Sequence, residues 1–599
     1  MDTDKVHYKA ILSNILNRLR SNEGVLEIVL AVLVGVAAGF GAVLFWEMIE
    51  LFSWFFFKEG AEALAPLGKY YVIIIPAIGG LILGPIIYFL GKEAKGEGPP
   101  EAMEAVAIRG GRIRPRIMPI KVLVSSLCIG SGGSVGREGP IVQIGASIGS
   151  SLGQWLHLSE ESLKTLALCG VAGGISATFN APLAGMIFAL EVVGKRVLTP
   201  RFVYIVLSSV SANVIARIFL FTEEQPTSFT VPQYTIVSYW ELILYVLLGI
   251  IVALVAVGFM RFFYKVEDAF NKLKVPAYLK PAIGGLVVGV IGFYYPEVFG
   301  VGYGTHYGVG GSIIQAGAVD KMLAGEITLT VIIVILALKM LASSITLGSG
   351  GSGGIFAPSL FMGAALGGAF GIMVHQSFPA VTAASGAYAL VGMGAFFATI
   401  VRGPITAIIM LFEMTLDYAL ILPLMIVVVV SSLIARQFTT ESIYTMRLLR
   451  RNVDIRQLEE TSPMRMVTVG EVMTKNYPSV PSTMTVEELI ARLCNSGHHG
   501  YTVIDKDGNF SGMVTLSDVE AAVARGSIAD LTVGNIASKS VITAYPDQYL
   551  HDVMVGLGER EVGRIPVVDR SDPKRLLGCL RRHDIIRAYA RKTAGKPLR

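Results

Sequence analysis

The chain has 599 residues, of which 53% are hydrophobic and only 16% charged, with 66 glycines and a mean hydropathy of +0.61. A soluble protein carries about a quarter charged residues, so this composition argues against one and points to an integral membrane protein. The formal net charge of +5 is small for the size and gives no reason to expect nucleic acid as a partner.

Residues 1–25, beginning MDTDKVHYKAILSNILNRLR, are mixed in charge and helical in pattern. They lack the basic start, apolar stretch and small-residue cleavage site of a signal peptide, and are expected to form a cytoplasmic helix ahead of the first span. Apolar segments then run from about Val25 to about Ile434, within a membrane domain read as 26–447. Several reach the roughly 20 residues that cross hydrocarbon, whereas others are shorter or broken by Gly and Pro, which predicts tilted and interrupted helices. No HExxH or nucleophile–base pair occurs in the spans, so an intramembrane enzyme is not expected. Cys128, Cys169, Cys494 and Cys579 have neither metal nor disulfide spacing and read as ordinary small hydrophobes.

The membrane part repeats itself. PAIGGL at Pro76 to Leu81 recurs letter for letter at Pro281 to Leu286, and GSGGSVGREGP at Gly130 to Pro140 is answered by GSGGSGGIFAP at Gly348 to Pro358. NAPLAGMIFALE at Asn180 to Glu191 is answered by RGPITAIIMLFE at Arg402 to Glu413. The offsets are 205, 218 and 222, so the order is kept and two repeats of about 26–230 and 231–447 follow. Such duplication fits a transporter or channel; interrupted helices favour the inverted over the parallel arrangement.

Each Gly-rich run precedes a helix-like segment with Pro near its start, where the missing N–H costs little. Irregular backbone at membrane depth is tolerated only where it lines a cavity or is packed in protein. Free N–H groups at two converging helix starts, one of them at Gly136, Arg137, Glu138 and Gly139, would make an anion site that glycine lets a ligand approach closely. Partial charges hold an anion weakly, as conduction requires. Glu138 can then take the anion's place when charged and leave it when protonated, a gate and a carrier of protons. The plainer alternatives are that Glu138 satisfies a helix start or pairs with Arg137. Arg137 itself is either structural or a means of concentrating anions in the vestibule.

After YTMRLLRRNVDIRQLEE the character changes: 448–468 read as a linker, and two similar soluble α/β units follow at 469–530 and 531–592, before a basic tail at 593–599. DKDGN at Asp505 to Asn509 marks a hairpin turn. YTVIDKDGNFSGMVTLSDV in the first unit is answered by IPVVDRSDPKRLLGCLRRHDI in the second.

GREGP at Gly136 to Pro140, GIFAP at Gly354 to Pro358 and FNAPLAGMIFALE at Phe179 to Glu191 together resemble the CLC family of chloride channels and proton/chloride exchangers, over nearly the whole chain. The soluble units resemble a tandem pair of CBS domains. The resemblance implies an all-α polytopic membrane protein with an inverted internal repeat of tilted and interrupted helices, followed by a soluble α/β tandem CBS domain. It also implies a multi-pass homodimer in the lipid bilayer, one chloride pore per subunit, with the N-terminus and CBS pair cytoplasmic. By resemblance Glu138 is the external gating glutamate, backbone N–H groups around Gly354, Ile355, Phe356 and Ala357 line the anion site, and Tyr444 is the inner-gate tyrosine. Read without the resemblance, Tyr444 equally suits an interfacial aromatic.

Two departures matter. Where the family usually has Gly-Ser-Gly-Ile-Pro-Glu, with the serine on the central anion, this chain has GEGPPE and Glu97 stands at the serine position. A carboxylate there repels an anion unless protonated or turned away, which leaves backbone amides to hold it. Glu97 is therefore a candidate second titrating group, or a water-facing residue near the vestibule mouth. Family exchangers commonly carry a proton-transferring glutamate directly after the Glu191 position, and this chain has Val192, as family channels do. A valine carries no proton, so the expectation is a passive, glutamate-gated chloride channel, with a proton/chloride exchanger or a transporter of another small anion as alternatives. In the CBS pair, Thr515, Asp518, Arg581 and Asp584 are the candidate contacts to an adenine nucleotide (ATP, ADP or AMP); the alternative is that this region caps helices, Ser517 and Asp518 being good N-cap residues. No cofactor is otherwise required, and His498 and His499 are not expected to bind metal.

Overall fold

The computed structural model describes residues 23–593, apart from 196–200, 222–233, 235–236, 304–305, 308–312, 315–316, 456–466, 497, 525, 527–529, 551–552 and 555–562. The expected N-terminal helix, save its last residues, and residues 594–599 of the basic tail lie outside the described residues. The chain divides into two compact units, 1–455 and 456–599.

The first unit is helical. In chain order it contains α1 (Glu23–Trp54), α2 (Tyr71–Pro85), α3 (Pro99–Ala107), α4 (Ile117–Gly130), α5 (Glu138–Trp155), α6 (Glu160–Phe179), α7 (Pro182–Phe188) and α8 (Phe202–Phe219). The second half supplies α9 (Glu241–Lys272), α10 (Lys280–Tyr294), α11 (Ala318–Leu323), α12 (Leu329–Gly348), α13 (Phe356–Ser377), α14 (Ser385–Val401), α15 (Pro404–Thr415), α16 (Ile421–Phe438) and α17 (Ile443–Arg450). Among the described residues, eight helical stretches are long and apolar enough to cross a membrane, and several further apolar helices are shorter. On α1 one side is buried (Ala31, Val34, Ala38) while Leu33, Phe40 and Leu44 are exposed, the all-round apolar surface of a helix with lipid on its outer face. The helix α17 continues to Arg450, so the first residues of the sequence-predicted linker are helical and belong to the first unit.

The repeated words of the sequence meet in space. Helices α2 and α10, which carry the two PAIGGL segments, pack on each other so closely that a Cβ on Gly80 would lie 2.3 Å from the Pro281 carbonyl oxygen, and one on Gly285 2.1 Å from that of Pro76. Helices α6 and α14 both end on a residue in the left-handed region, Asn180 at φ 56° and Arg402 at φ 63°. Each turn delivers the chain to a Pro-led helix, α7 or α15. The ends of these two helices serve each other. Glu191 accepts from the N–H groups of Ile405 (3.1 Å) and Thr406 (2.7 Å) at the start of α15, and Glu413 accepts from those of Leu183 (2.9 Å) and Ala184 (2.7 Å) at the start of α7. A carboxylate on otherwise orphaned N–H groups at a positive helix end is the reason both repeats end in glutamate.

In the second unit the strands β1 (Thr474–Lys475), β2 (Ser479–Pro481), β3 (Gly500–Ile504), β4 (Phe510–Thr515), β5 (Arg564–Val568) and β6 (Leu576–Arg581) form two three-stranded sheets, ordered β2–β3–β4 and β1–β6–β5. The strand β1 comes from the first repeat but pairs antiparallel with β6 of the second, Thr474 opposite Cys579. The helices α18 (Val486–Ser496), α19 (Leu516–Ala524) and α20 (Arg582–Thr593) flank the strands, and Val480, Leu489, Val503 and Val514 build one core while Ile565, Val567, Leu580 and Ile585 build the other.

Candidate functional site

Three glycine-bearing loops converge in the first unit. Gly136, ahead of α5, donates to the Gly354 carbonyl (2.8 Å), and Gly354, ahead of α13, donates back to that of Gly136 (2.7 Å). This two-way bridge places the starts of α5 and α13 side by side, as the repeat predicts. The third loop, ahead of α3, joins through Gly353 N–H to the Gly96 carbonyl (3.3 Å). Gly98 sits at φ 101°, and a Cβ there would lie 2.2 Å from the Gly139 carbonyl oxygen, so this contact requires glycine.

Glu138 lies at the meeting point and is fully buried. The space that a Cβ on Gly136 would need is taken by Glu138 Oε2 (2.3 Å) and the Ala357 amide nitrogen (3.0 Å). Its carboxylate thus rests over the first glycine of its own motif, against the start of α13. Oε2 is buried beside the backbone N–H of Ala357 at the start of α13, and Oε1 accepts from the hydroxyl of Tyr303. Arg137 Nε lies 3.9 Å from Oε1. Its guanidinium stacks on Trp46 of α1 at 3.7 Å from the ring centre, so Arg137 is a packed neighbour of the site rather than a free vestibule charge. Gly139, Gly354, Ile355, Phe356 and Ala357 are all buried around this point, with the Phe356 ring against Phe397 (4.2 Å) and Phe179 (5.2 Å).

Tyr444 occupies the first turn of α17, a helix whose start is fixed by Ser442 and Thr445, each side chain accepting from the other's backbone N–H (3.0 and 2.9 Å). The Tyr444 hydroxyl is buried without a partner among the described residues, and it lies within electrostatic reach of both Glu97 and Glu138. An interfacial aromatic would have its hydroxyl in water, so that reading is set aside.

Glu97 corrects one expectation. It is not water-facing: it is 0% exposed, and its Oε1 accepts from Arg447 Nη1 at 3.0 Å, with Glu267 3.6 Å from the other guanidinium nitrogen. The carboxylate that would repel an anion is held by a buried cation one turn beyond Tyr444. Its Oε2 has no partner among the described residues. Val192 is buried too, in the turn that ends α7, against Gly403.

The structure adds residues that the sequence reading passed over. Lys121 of α4 is buried and donates to the carbonyls of Ala94 (3.1 Å) and Gly96 (2.7 Å). Lys339 of α12, at the same offset as the glycine runs, is buried and donates to those of Val298 (3.0 Å) and Gly300 (2.8 Å). Each lysine pins one loop of the site. GEG at Gly96 to Gly98 and GVG at Gly300 to Gly302 are the signal that would have exposed the second loop, and Tyr303 follows directly after it.

In the second unit the candidate nucleotide contacts are engaged with one another. Asp518 accepts from the backbone N–H and the hydroxyl of Thr515, both at 2.7 Å, and from Ser538 (3.4 Å). Arg581 donates from Nε and Nη2 to Asp584, both at 2.8 Å. Thr515 and Arg581 therefore sit at the caps of α19 and α20, with the aspartates three residues in; Ser517 and Asp518 are not themselves the cap residue. His498 lies edge-on to Tyr501 and Tyr477.

Converging helix starts with a displaceable carboxylate between them can hold one small anion or that carboxylate, and not both. The family model for the voltage-gated chloride channel matches residues 79–436, and that for the CBS domain matches 469–525 and 533–591. The chain belongs to the voltage-gated chloride channel family. An Arabidopsis thaliana protein named chloride channel protein CLC-e is 30% identical over 91% of this chain and 84% of its own length. A Vibrio cholerae protein named H+/Cl− exchange transporter ClcA is 30% identical over 72% of this chain and 90% of its own. The crystal structure of a slow cyanobacterial Cl−/H+ antiporter matches with a TM-score of 0.63 at 26% identity, covering 73% of this chain and 98% of that one. The span matched by the chloride channel model contains all three converging loops and Lys339, and stops before α17.

Proposed function

We propose that this chain carries chloride across a membrane through a pore closed by Glu138, acting as a homodimer with one pore per subunit and with its CBS pair in the cytoplasm. The observation that carries the reading is the buried Glu138 carboxylate, seated over Gly136 against the start of α13 with the Ala357 N–H beside it. Charged, it fills the anion's position; protonated, it loses its attraction to the helix starts and yields to chloride. Glu138→Gln mimics the protonated state at nearly the same size. In vesicles it is expected to abolish the pH dependence of chloride flux, and unchanged pH dependence in folded protein rejects the assignment.

Within chloride transport, Val192 favours passive conduction, because a proton entering from the inner side meets a buried aliphatic side chain where a carrier would be needed. One observation favours the second reading, proton-coupled exchange: Glu97 is a second buried carboxylate, one oxygen of which has no partner among the described residues, and Tyr444 lies within electrostatic reach of it and of Glu138. Relatives named for channels and relatives named for exchangers are both about 30% identical to this chain, so a flux measurement decides. Vesicles with a chloride gradient and no pH gradient are expected to show chloride flux without proton movement. A fixed proton-to-chloride ratio, lost in Glu97→Gln, establishes exchange through Glu97 instead.

A further inference from the structure

We propose that Tyr303 is the latch of the pore: its phenol holds the Glu138 carboxylate in the closed position and, once that carboxylate leaves, donates to the anion that replaces it. The inference rests on the gating role proposed above for Glu138.

Tyr303 is 2% exposed, and its hydroxyl donates to Glu138 Oε1 across 165 residues of sequence. The turn that carries it is held independently of the gate. Lys339 Nζ donates to the carbonyls of Val298 and Gly300, and the Gly302 carbonyl accepts from Val319 N–H at 3.1 Å. Gly302 lies at φ 88°, and a Cβ there would sit 2.5 Å from the Phe361 ring, so the turn is closed by packing as well. The phenol therefore keeps its place when Glu138 moves. A tyrosine hydroxyl stays protonated at physiological pH and carries no charge. It can donate to a carboxylate or to a halide, and it lacks the full charge that would trap either one.

The charge-assisted bond favours the ionised, seated carboxylate over the protonated, mobile one. Its removal should let Glu138 protonate at higher pH. The other groups facing Glu138 are Arg137 beside it (with Glu50 of α1 acting on Arg137), Lys339 of α12 and Tyr444 of α17. Tyr303→Phe deletes one oxygen and keeps the ring; of these groups it touches Arg137, whose guanidinium also bonds the phenol and lies over its ring, and it leaves Lys339 and Tyr444 in place.

The test measures chloride efflux from vesicles against pH for the unaltered chain, Tyr303→Phe, Glu138→Gln and the double variant. Tyr303→Phe is expected to move the activation midpoint upward by about one to two pH units, a 10- to 100-fold shift in the protonation equilibrium. The double variant should match Glu138→Gln in its flat pH profile but bind external chloride several-fold more weakly. Gly302→Ala, which displaces the turn and keeps the phenol, is the second variant and should shift the midpoint in the same direction. A flat profile in Glu138→Gln with an unmoved midpoint in both Tyr303→Phe and Gly302→Ala overturns the latch and leaves the gate standing. A retained pH response in Glu138→Gln overturns the gate itself.

Discussion

Arg447 is a buried cation between two carboxylates, and Glu97 depends on it. Taking one member out of a buried ion pair leaves an uncompensated charge, at a cost of about 3–5 kcal/mol, whereas replacing both with apolar residues of similar volume is often neutral. Arg447→Met is therefore expected to lower the thermal midpoint of the detergent-solubilised protein strongly, and Glu97→Met with Arg447→Met to recover most of the loss. Equal midpoints for the single and double variants would mean that Glu97 is not held by this pair. The same pair explains how a carboxylate stands where the family has a serine, since its charge is matched before any anion arrives. Arg447 was not legible in the sequence, because its partner lies 350 residues away and nothing local marks it. Glu138 was legible because glycines surround it, and glycine runs in apolar sequence announce close backbone approach.

At the scale of elements, the exchange of glutamates between α7 and α15 gives the repeated FALE and MLFE endings a cause. Glu413→Gln keeps the shape and removes the charge at the α7 start. Losing a charged cap on two N–H groups should cost about 1–2 kcal/mol, read as a lower thermal midpoint, and Glu191→Gln should do the same at α15. In the second unit the cap at Asp584 titrates. Burial pushes the Asp584 carboxyl up, but the Arg581 guanidinium outweighs it and holds the group below the usual carboxylate range. A group depressed on folding adds stability above its unfolded pKa and loses it as pH falls through the folded value. Asp584→Asn should therefore destabilise fragment 461–599 in urea at pH 7, and the difference should begin to shrink as pH falls below about 4 and vanish only below the depressed folded value. A difference that does not shrink at all as pH falls through the folded value would assign the effect to packing. Because Asp518 Oδ2 and both Asp584 oxygens are already engaged at these caps, an adenine nucleotide that used those atoms would compete with Thr515 and Arg581 for them. Calorimetry of the purified chain with ATP, ADP and AMP measures that competition, and no heat at millimolar nucleotide means that the caps are structural.

At the scale of the whole molecule, the fold was readable to the extent that the chain repeats itself. Identical words proved to be surfaces that touch: Gly80 lies on Pro281 and Gly285 on Pro76, so the same letters recur because each half fits the other. The CBS pair was readable for the same reason, although its crossed strand was not, since β1 is two residues long and its partner lies in the other repeat. Tyr303, Lys121 and Lys339 escaped because single polar residues in apolar sequence have no period, and their meaning comes only from loops brought in by other helices.

The two-way bridge between Gly136 and Gly354 also sets a clock. Its second half is made 218 residues after its first, which at roughly 5–20 residues per second is an interval of about 10–40 s. For that time α5 stands in the bilayer without α13, and Glu138 is a membrane-depth acid without Ala357 beside it. The first half on its own is an unfinished surface, exposed to the machinery that clears orphaned spans. A chain stopped near residue 230 should insert and then be degraded, and supplying residues 231–599 as a separate chain should lengthen its lifetime, measurable by pulse labelling.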